Sequence, residues 1–264
     1  MVIRWLRPAH SILIDFDIDY TDFESKIEEV RRHYDCVTLD SILKGLADGS
    51  PRGMAAIIIR EARKGFFLRP LSFLLTENIP FTLFLRPDCI GLNRLPPEEE
   101  LETYHQAYPQ VLDRKQCQDW KERIWLEPNR VEIFLKEARA RLGPLPIPTL
   151  DPLHFFATWG RVVEMPRNQL QLGLSLPSSP MGEYGLDDLL RFARTQVGRE
   201  VTVASASRSL SFARKLLERA GIRAAIGPVR GVVDSKTDPF ELPIWSLNEE
   251  QNKEATQPPQ TIQN

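Results

Sequence analysis

Side chains able to do acid–base or metal chemistry are thinly spread in this sequence. Asp15, Asp17 and Asp19 alternate in the run DFDIDY behind an apolar stretch. At period two they would share one face, and a cluster of carboxylates suits a hard cation. A solvated strand edge or turn is the simpler reading and is the one adopted. His10, His33, His105 and His154 stand singly, the middle two in charged helical patterns and the others near strand starts or loops. Surface or packing roles are expected for all four. Ser175, Ser178 and Ser179 lie close together without a nucleophile elbow, and no glycine-rich phosphate loop or dinucleotide fingerprint occurs. Cys36, Cys89 and Cys117 are widely spaced with no CxxC, which argues against a disulfide framework or zinc cluster and for a reducing compartment.

The elements that must position these residues read as alternating strand and helix. Strands are predicted at Ser11 to Ile14, Cys36 to Leu39, Ala55 to Ile59, Phe81 to Leu85, Leu170 to Leu174, Val201 to Ala204 and Arg223 to Ile226. Between them, apolar positions recur at helical spacing: Phe23, Ile27 and Val30 behind a Thr21/Glu24 capping box, then Asp40 to Ala47, Leu68 to Glu77, Trp159 to Met165, Leu186 to Val197 and Ser209 to Ala220, with Gly221 as a C-cap. About seven such units imply a parallel sheet or barrel. The alternation lapses at about residues 95–148 into charged helical segments, clearest at Glu98 to His105 and Pro128 to Leu142, ending in the stiff run Gly143, Pro144, Pro146, Pro148. This reads as an insertion in a barrel spanning residues 1–247. Residues 248–264 are polar and proline-containing and read as a disordered tail.

With 264 residues, 42% hydrophobic and 27% charged, the chain suits one large domain. Such a length buries roughly three quarters of the unfolded surface, so no metal or disulfide is needed to hold the core. A net charge of -2 gives no basic field for nucleic acid. No apolar run is long enough for a signal peptide or membrane span, and a cytoplasmic location is expected.

Four segments, in order, carry a resemblance. They are FESKIEEVRRHYDCVTLDSILKGLADG from Phe23 to Gly49; MAAIII followed by NIPFTLFLRPDCIG; TWGRVVEMPRNQLQLGLSLPSSP; and VTVASASRSLSFARKLLERAGIRAAIG, with ELPIWSL after it. This order resembles the polysaccharide deacetylases of carbohydrate esterase family 4 over roughly Ser11 to Leu247. Ile79 to Leu85 match the family's IPaTfFl segment, and Trp159, Val162, Met165, Leu172, Gly173 and Pro180 keep their places around its HxxxH motif. The resemblance implies an α/β fold, a distorted (β/α)7 TIM-like barrel with its site at the C-terminal ends of the strands.

The same resemblance implies altered chemistry. Members hold a divalent metal with one Asp and two His, and a second Asp serves as general base. Where the family has TFDDGY this sequence has IIREAR, which places Arg60 at the base and Glu61 at the metal ligand, or Arg63 and Lys64 under a shifted gap. The histidine pair falls on Ser175 and Ser179, the FayPyG turn becomes the stretch containing Ser205, and the closing-strand Arg becomes Ile244. An arginine accepts no proton at neutral pH, and serine hydroxyls are weak neutral donors to a transition metal. The expectation is a non-catalytic protein, a pseudoenzyme without cofactor, that binds a carbohydrate or a protein partner, with Ser205, Trp159 and Trp245 as candidate groove residues. The alternatives are a divergent metal-dependent hydrolase of C–N or ester bonds using Glu61 or the Asp15, Asp17, Asp19 group, and an assembly protein docking through the insertion.

Overall fold

A computed structural model describes residues 8–16, 20–92, 94–127, 130–143, 152–176, 183–206 and 214–246. Seven parallel strands close into a ring: β1 (Ile12–Phe16), β3 (Met54–Ile59), β4 (Phe81–Leu85), β5 (Leu170–Ser175), β6 (Val203–Ser205), β7 (Ala224–Arg230) and β8 (Leu242–Ser246), which returns to β1. A two-residue strand, β2 (Asp35–Cys36), lies on β3 below β4. The helices α1 (Phe23–His33), α3 (Arg69–Thr76), α7 (Trp159–Val163), α8 (Glu183–Val197) and α9 (Arg214–Arg219) each cover a strand crossover. The architecture is a (β/α)7 barrel of the TIM-like kind, and its parallel strands are apolar on both faces because both are covered.

Alternation along each strand divides the core in two. Phe23, Ile27, Leu74, Val162, Leu190 and Leu217 of the outer helices pack with Ile14, Ile57, Leu83, Leu172 and Ala204. The intervening strand residues Leu13, Ile58, Phe84, Val203, Ala224 and Leu242 meet inside the barrel. Helix α2 (Leu39–Ala47) adds Leu39, Ile42 and Leu46 to that inner cluster and stoppers the N-terminal end. There Asp40 accepts hydrogen bonds from Gln171 at 2.8 Å and Arg223 at 2.9 Å. With the interior filled and the bottom closed, only the C-terminal rim of the strands is open to build a site.

Between β4 and α7 the described residues hold three α-helices, α4 (Pro97–Ala107), α5 (Arg114–Leu126) and α6 (Val131–Leu142). They share a small core of Leu101, Tyr104, Cys117, Ile124, Phe134 and Leu135. The Asp113 side chain accepts from Gln116 N at 2.8 Å while the Gln116 side chain receives the Asp113 N–H, a capping box that starts α5.

Several sequence expectations need correction. Thr21 and Glu24 form no capping box: Asp22 is the N-cap of α1, in the left-handed region at φ 57°, without a side-chain cap. Glu24 instead turns outward to a bidentate pair with Arg69. Leu39 belongs to α2 rather than to a strand, because the Thr38 hydroxyl caps the helix at Ser41 N. Helix α6 starts at Val131, α7 ends at Val163, and β7 runs on to Arg230 through a register irregularity against β8. The tail and the proline run 144–148 lie outside the described residues.

Gly173 is required by packing rather than by a turn. A Cβ there would lie 2.5 Å from the Phe84 ring and 3.0 Å from Val203 Cγ2, inside the filled barrel. We expect Gly173→Ala to lower unfolding free energy by about 1–3 kcal/mol in urea denaturation, as overpacked cores do, with partial recovery when Phe84 is also shortened to Leu.

Candidate functional site

Four strand ends bring polar side chains to the rim. Asp15 on β1 shares the inward parity of Leu13, and Arg60, one residue past β3, shares that of Ile58. The two meet: Arg60 Nε donates to Asp15 Oδ2 at 2.6 Å, with the carboxylate buried and the arginine about a quarter exposed. Asp15 is therefore no solvated edge residue, which corrects the sequence reading. Charge pairing with Arg60 explains its burial. Asp17 and Asp19 lie outside the described residues.

The loop after β3 is zipped to the segment preceding α7. Ala157 N donates to Ala62 O at 2.7 Å, Lys64 N to Phe155 O at 2.8 Å, and Arg63 bridges Phe156. This places Arg63, 1% exposed, under the rim. Its guanidinium donates to Glu61, to Glu99 and to the His154 carbonyl at 2.6 Å, and it lies 4.7 Å from the centroid of the Phe156 ring. Arg86, the residue after β4, is also buried; it donates to Asp88 at 3.0 Å and to Glu98 at 3.1 Å, and lies 3.9 Å from Glu61. Burial alone would lower the pKa of Arg86, but Glu98, Asp88 and Glu61 outweigh it and hold the guanidinium charged.

Glu61 is thus shared between two buried arginines, and two of their other acids come from the first turn of α4. The next glutamate, Glu100, is 3% exposed and takes both hydrogen bonds of Arg139 on α6 at 2.7 Å. One helical turn therefore fastens the three-helix unit to the barrel rim and to itself. Little in the local sequence announces this. The separations in sequence are 36 residues for Arg63 to Glu99 and 91 for Arg63 to His154. A weak signal existed in LRPD, an arginine ending an apolar strand with an acid two residues on.

Ser175 and Ser205 are register partners at the ends of β5 and β6, both buried, and both share the inward parity of Gly173 and Val203. Ser179 falls outside the described residues. The two tryptophans do not join Ser205 inside the rim. Trp159 lies in the outer helical layer, its ring 5.7 Å from that of Phe192 on α8, and Trp245 alternates with the inward Ile244 and so faces outward.

The remaining chemistry-bearing groups are accounted for by packing. His10 hydrogen-bonds the Tyr34 hydroxyl at 3.0 Å and burial lowers its pKa, against the opposing charge of Asp234. His105 Nδ1 meets the Leu112 carbonyl at 2.8 Å. Burial pushes the Cys36 thiol up to about 11 and raises those of Cys89 and Cys117 as well, so these sulfurs are poor nucleophiles. Among the described residues no three His, Cys, Asp or Glu side chains converge as metal ligands. None of the described helices is long and apolar enough to cross a membrane.

No family model and no curated protein matches the sequence. Solved structures do match the fold. IcaB from Ammonifex degensii aligns over 90% of this chain and 92% of its own, with a TM-score of 0.60 at 10% identity. The deacetylase domain of BpsB from Bordetella bronchiseptica covers 90% of this chain and 96% of its own, with a TM-score of 0.55 at 9% identity. The Streptococcus pyogenes deacetylase PplD, solved in complex with acetate, covers 91% and 93%, with a TM-score of 0.57 at 7% identity. At such identities the likeness establishes the barrel type, and site residues must be argued from this chain itself.

The ion pairs differ in what they should be worth. Arg63→Met would leave Glu61 and Glu99 facing an apolar side chain, and we expect a loss of about 3–5 kcal/mol in urea denaturation, as when one partner of a buried pair is removed. Arg191→Ala, which breaks an exposed pair with Asp188 on α8, should change stability by less than about 1 kcal/mol.

Proposed function

We propose that this chain is a non-catalytic deacetylase-fold protein that binds a carbohydrate. The observation that carries the first half is the state of Glu61. It is the acidic residue that the family resemblance places at the metal position, and it is held by Arg63 and Arg86. A carboxylate that already balances two buried guanidinium groups is a poor ligand for a divalent cation, which those same charges repel.

The divalent metal of the deacetylases does not fit the donors among the described residues. A hydrolytic metal site needs about three good donors and an open position, with a base for the attacking water. The other described positions that the resemblance assigns to the ligands and base are Ser175, a buried neutral hydroxyl, and Arg60, which cannot take a proton and is tied to Asp15. This set has neither the ligands nor the base for a hydrolytic step.

The second half rests on the barrel type. BpsB and PplD are named as deacetylases, and the resemblance in sequence is to enzymes acting on polysaccharides. A rim that lost metal chemistry while its strands stayed closely packed is suited to recognition of the same class of ligand.

The test is acetate release from N-acetylglucosamine oligomers with added zinc or cobalt, run beside calorimetric titration of the same oligomers and of their de-N-acetylated forms. The proposal expects no acetate above the protein-free control and saturable binding of at least one oligomer type. Acetate release that a chelator abolishes would establish the divergent hydrolase instead.

A further inference from the structure

Resting on the carbohydrate-binding reading above, we infer that the sugar site is a cleft beside the barrel mouth, between α1 and α3, and that it takes a glucosamine oligomer with free amines. The cleft measures about 800 Å³, within the range of small-molecule sites. It lies on the C-terminal rim, formed by the start of α1, by Gly65, Leu68, Arg69 and Pro70 leading into α3, and by Leu153 and His154.

Its surface has the mixture that a sugar ring needs. Tyr20 is partly exposed and braced from behind by Phe23 and Phe66, with ring centroids 5.9 and 6.1 Å away. Gly65 lies against this ring and Leu153, where an added Cβ would sit in ordinary van der Waals contact with both at 3.5–3.6 Å. An aromatic face with polar groups beside it can take the C–H face of a pyranose while its edges hydrogen-bond hydroxyls. Thr21 and Ser25 supply hydroxyls to the same lining.

Charge selects among sugars. Glu24 is neutralised by Arg69, its second hydrogen bond measuring 2.8 Å. Asp22 is exposed, makes no hydrogen bond through its side chain to any described residue, and does not cap its own helix. It also holds a left-handed φ of 57°, a conformation that costs a non-glycine residue energy and that collects at functional positions. Among the described residues no cation pairs with the Asp22 carboxylate in the cleft. A ligand ammonium would complete it, and an N-acetyl group would not.

Isothermal titration of the full chain with tetramers of glucosamine, N-acetylglucosamine and glucose tests this assignment. The glucosamine tetramer should bind about three- to fivefold more tightly than the other two, and Asp22→Asn should remove that preference, as loss of an exposed charge pair does. Asn tolerates the left-handed conformation, so this variant should fold as the parent does. Glycan binding that is indifferent to Asp22→Asn would overturn the cleft assignment and leave the carbohydrate-binding reading standing. A parent chain that binds none of the three tetramers would overturn both.

Discussion

Two arginines buried at the ends of β3 and β4 are the constraint on which the rest of the rim depends. A guanidinium removed from water must recover its hydration from fixed partners, and Arg63 and Arg86 draw theirs from four separate stretches of chain. The β3 loop supplies Glu61, the β4 loop Asp88, the first turn of α4 Glu98 and Glu99, and the 3-10 turn Pro152–His154 before α7 the His154 carbonyl. None of these pieces can shift without leaving a buried charge unmatched. Such lattices add little net stability over apolar packing, but they fix geometry. Here they decide where the three-helix unit sits on the barrel and what Glu61 can do.

The remainder of the molecule follows from how that rim is supported. The barrel interior is occupied by Leu13, Ile58, Phe84 and Val203, so nothing enters it, and α2 closes the far end. Gly173 marks how tightly the inner layer is filled. A ligand is left with the rim and the clefts beside it. On that surface the charged residues after β3 and β4 are engaged with one another, whereas Tyr20 to Ser25 face Gly65, Leu68, Arg69 and Pro70 across an open cleft, in which the Asp22 carboxylate takes no hydrogen bond from a described residue.

How much of this was legible in the sequence depends on the range of the interaction. Apolar periodicity located six of the seven crossover strands within a few residues, because period two and period 3.6 are local properties. The closing strand came from ELPIWSL and the family resemblance. Local rules failed where a distant partner won: Glu24 had a capping site three residues away but met Arg69 across the helix pair, and Asp15 read as solvated until Arg60 arrived from 45 residues on. The pairings of Glu98 and Glu99 were illegible for the same reason, since a glutamate run at a helix start reads equally well as a solvated first turn. The type of barrel was legible because ordered motifs accumulate evidence over the whole chain, while the site rests on single side chains.

The central claim is that Glu61 serves guanidinium groups and not a metal. Isothermal titration of zinc(II) into the chelator-treated full chain at neutral pH tests it most directly, with Glu61→Gln titrated in parallel. The account predicts no stoichiometric zinc binding by the parent chain and titration curves for the two proteins that superimpose. One equivalent of zinc bound by the parent and lost in Glu61→Gln would contradict it.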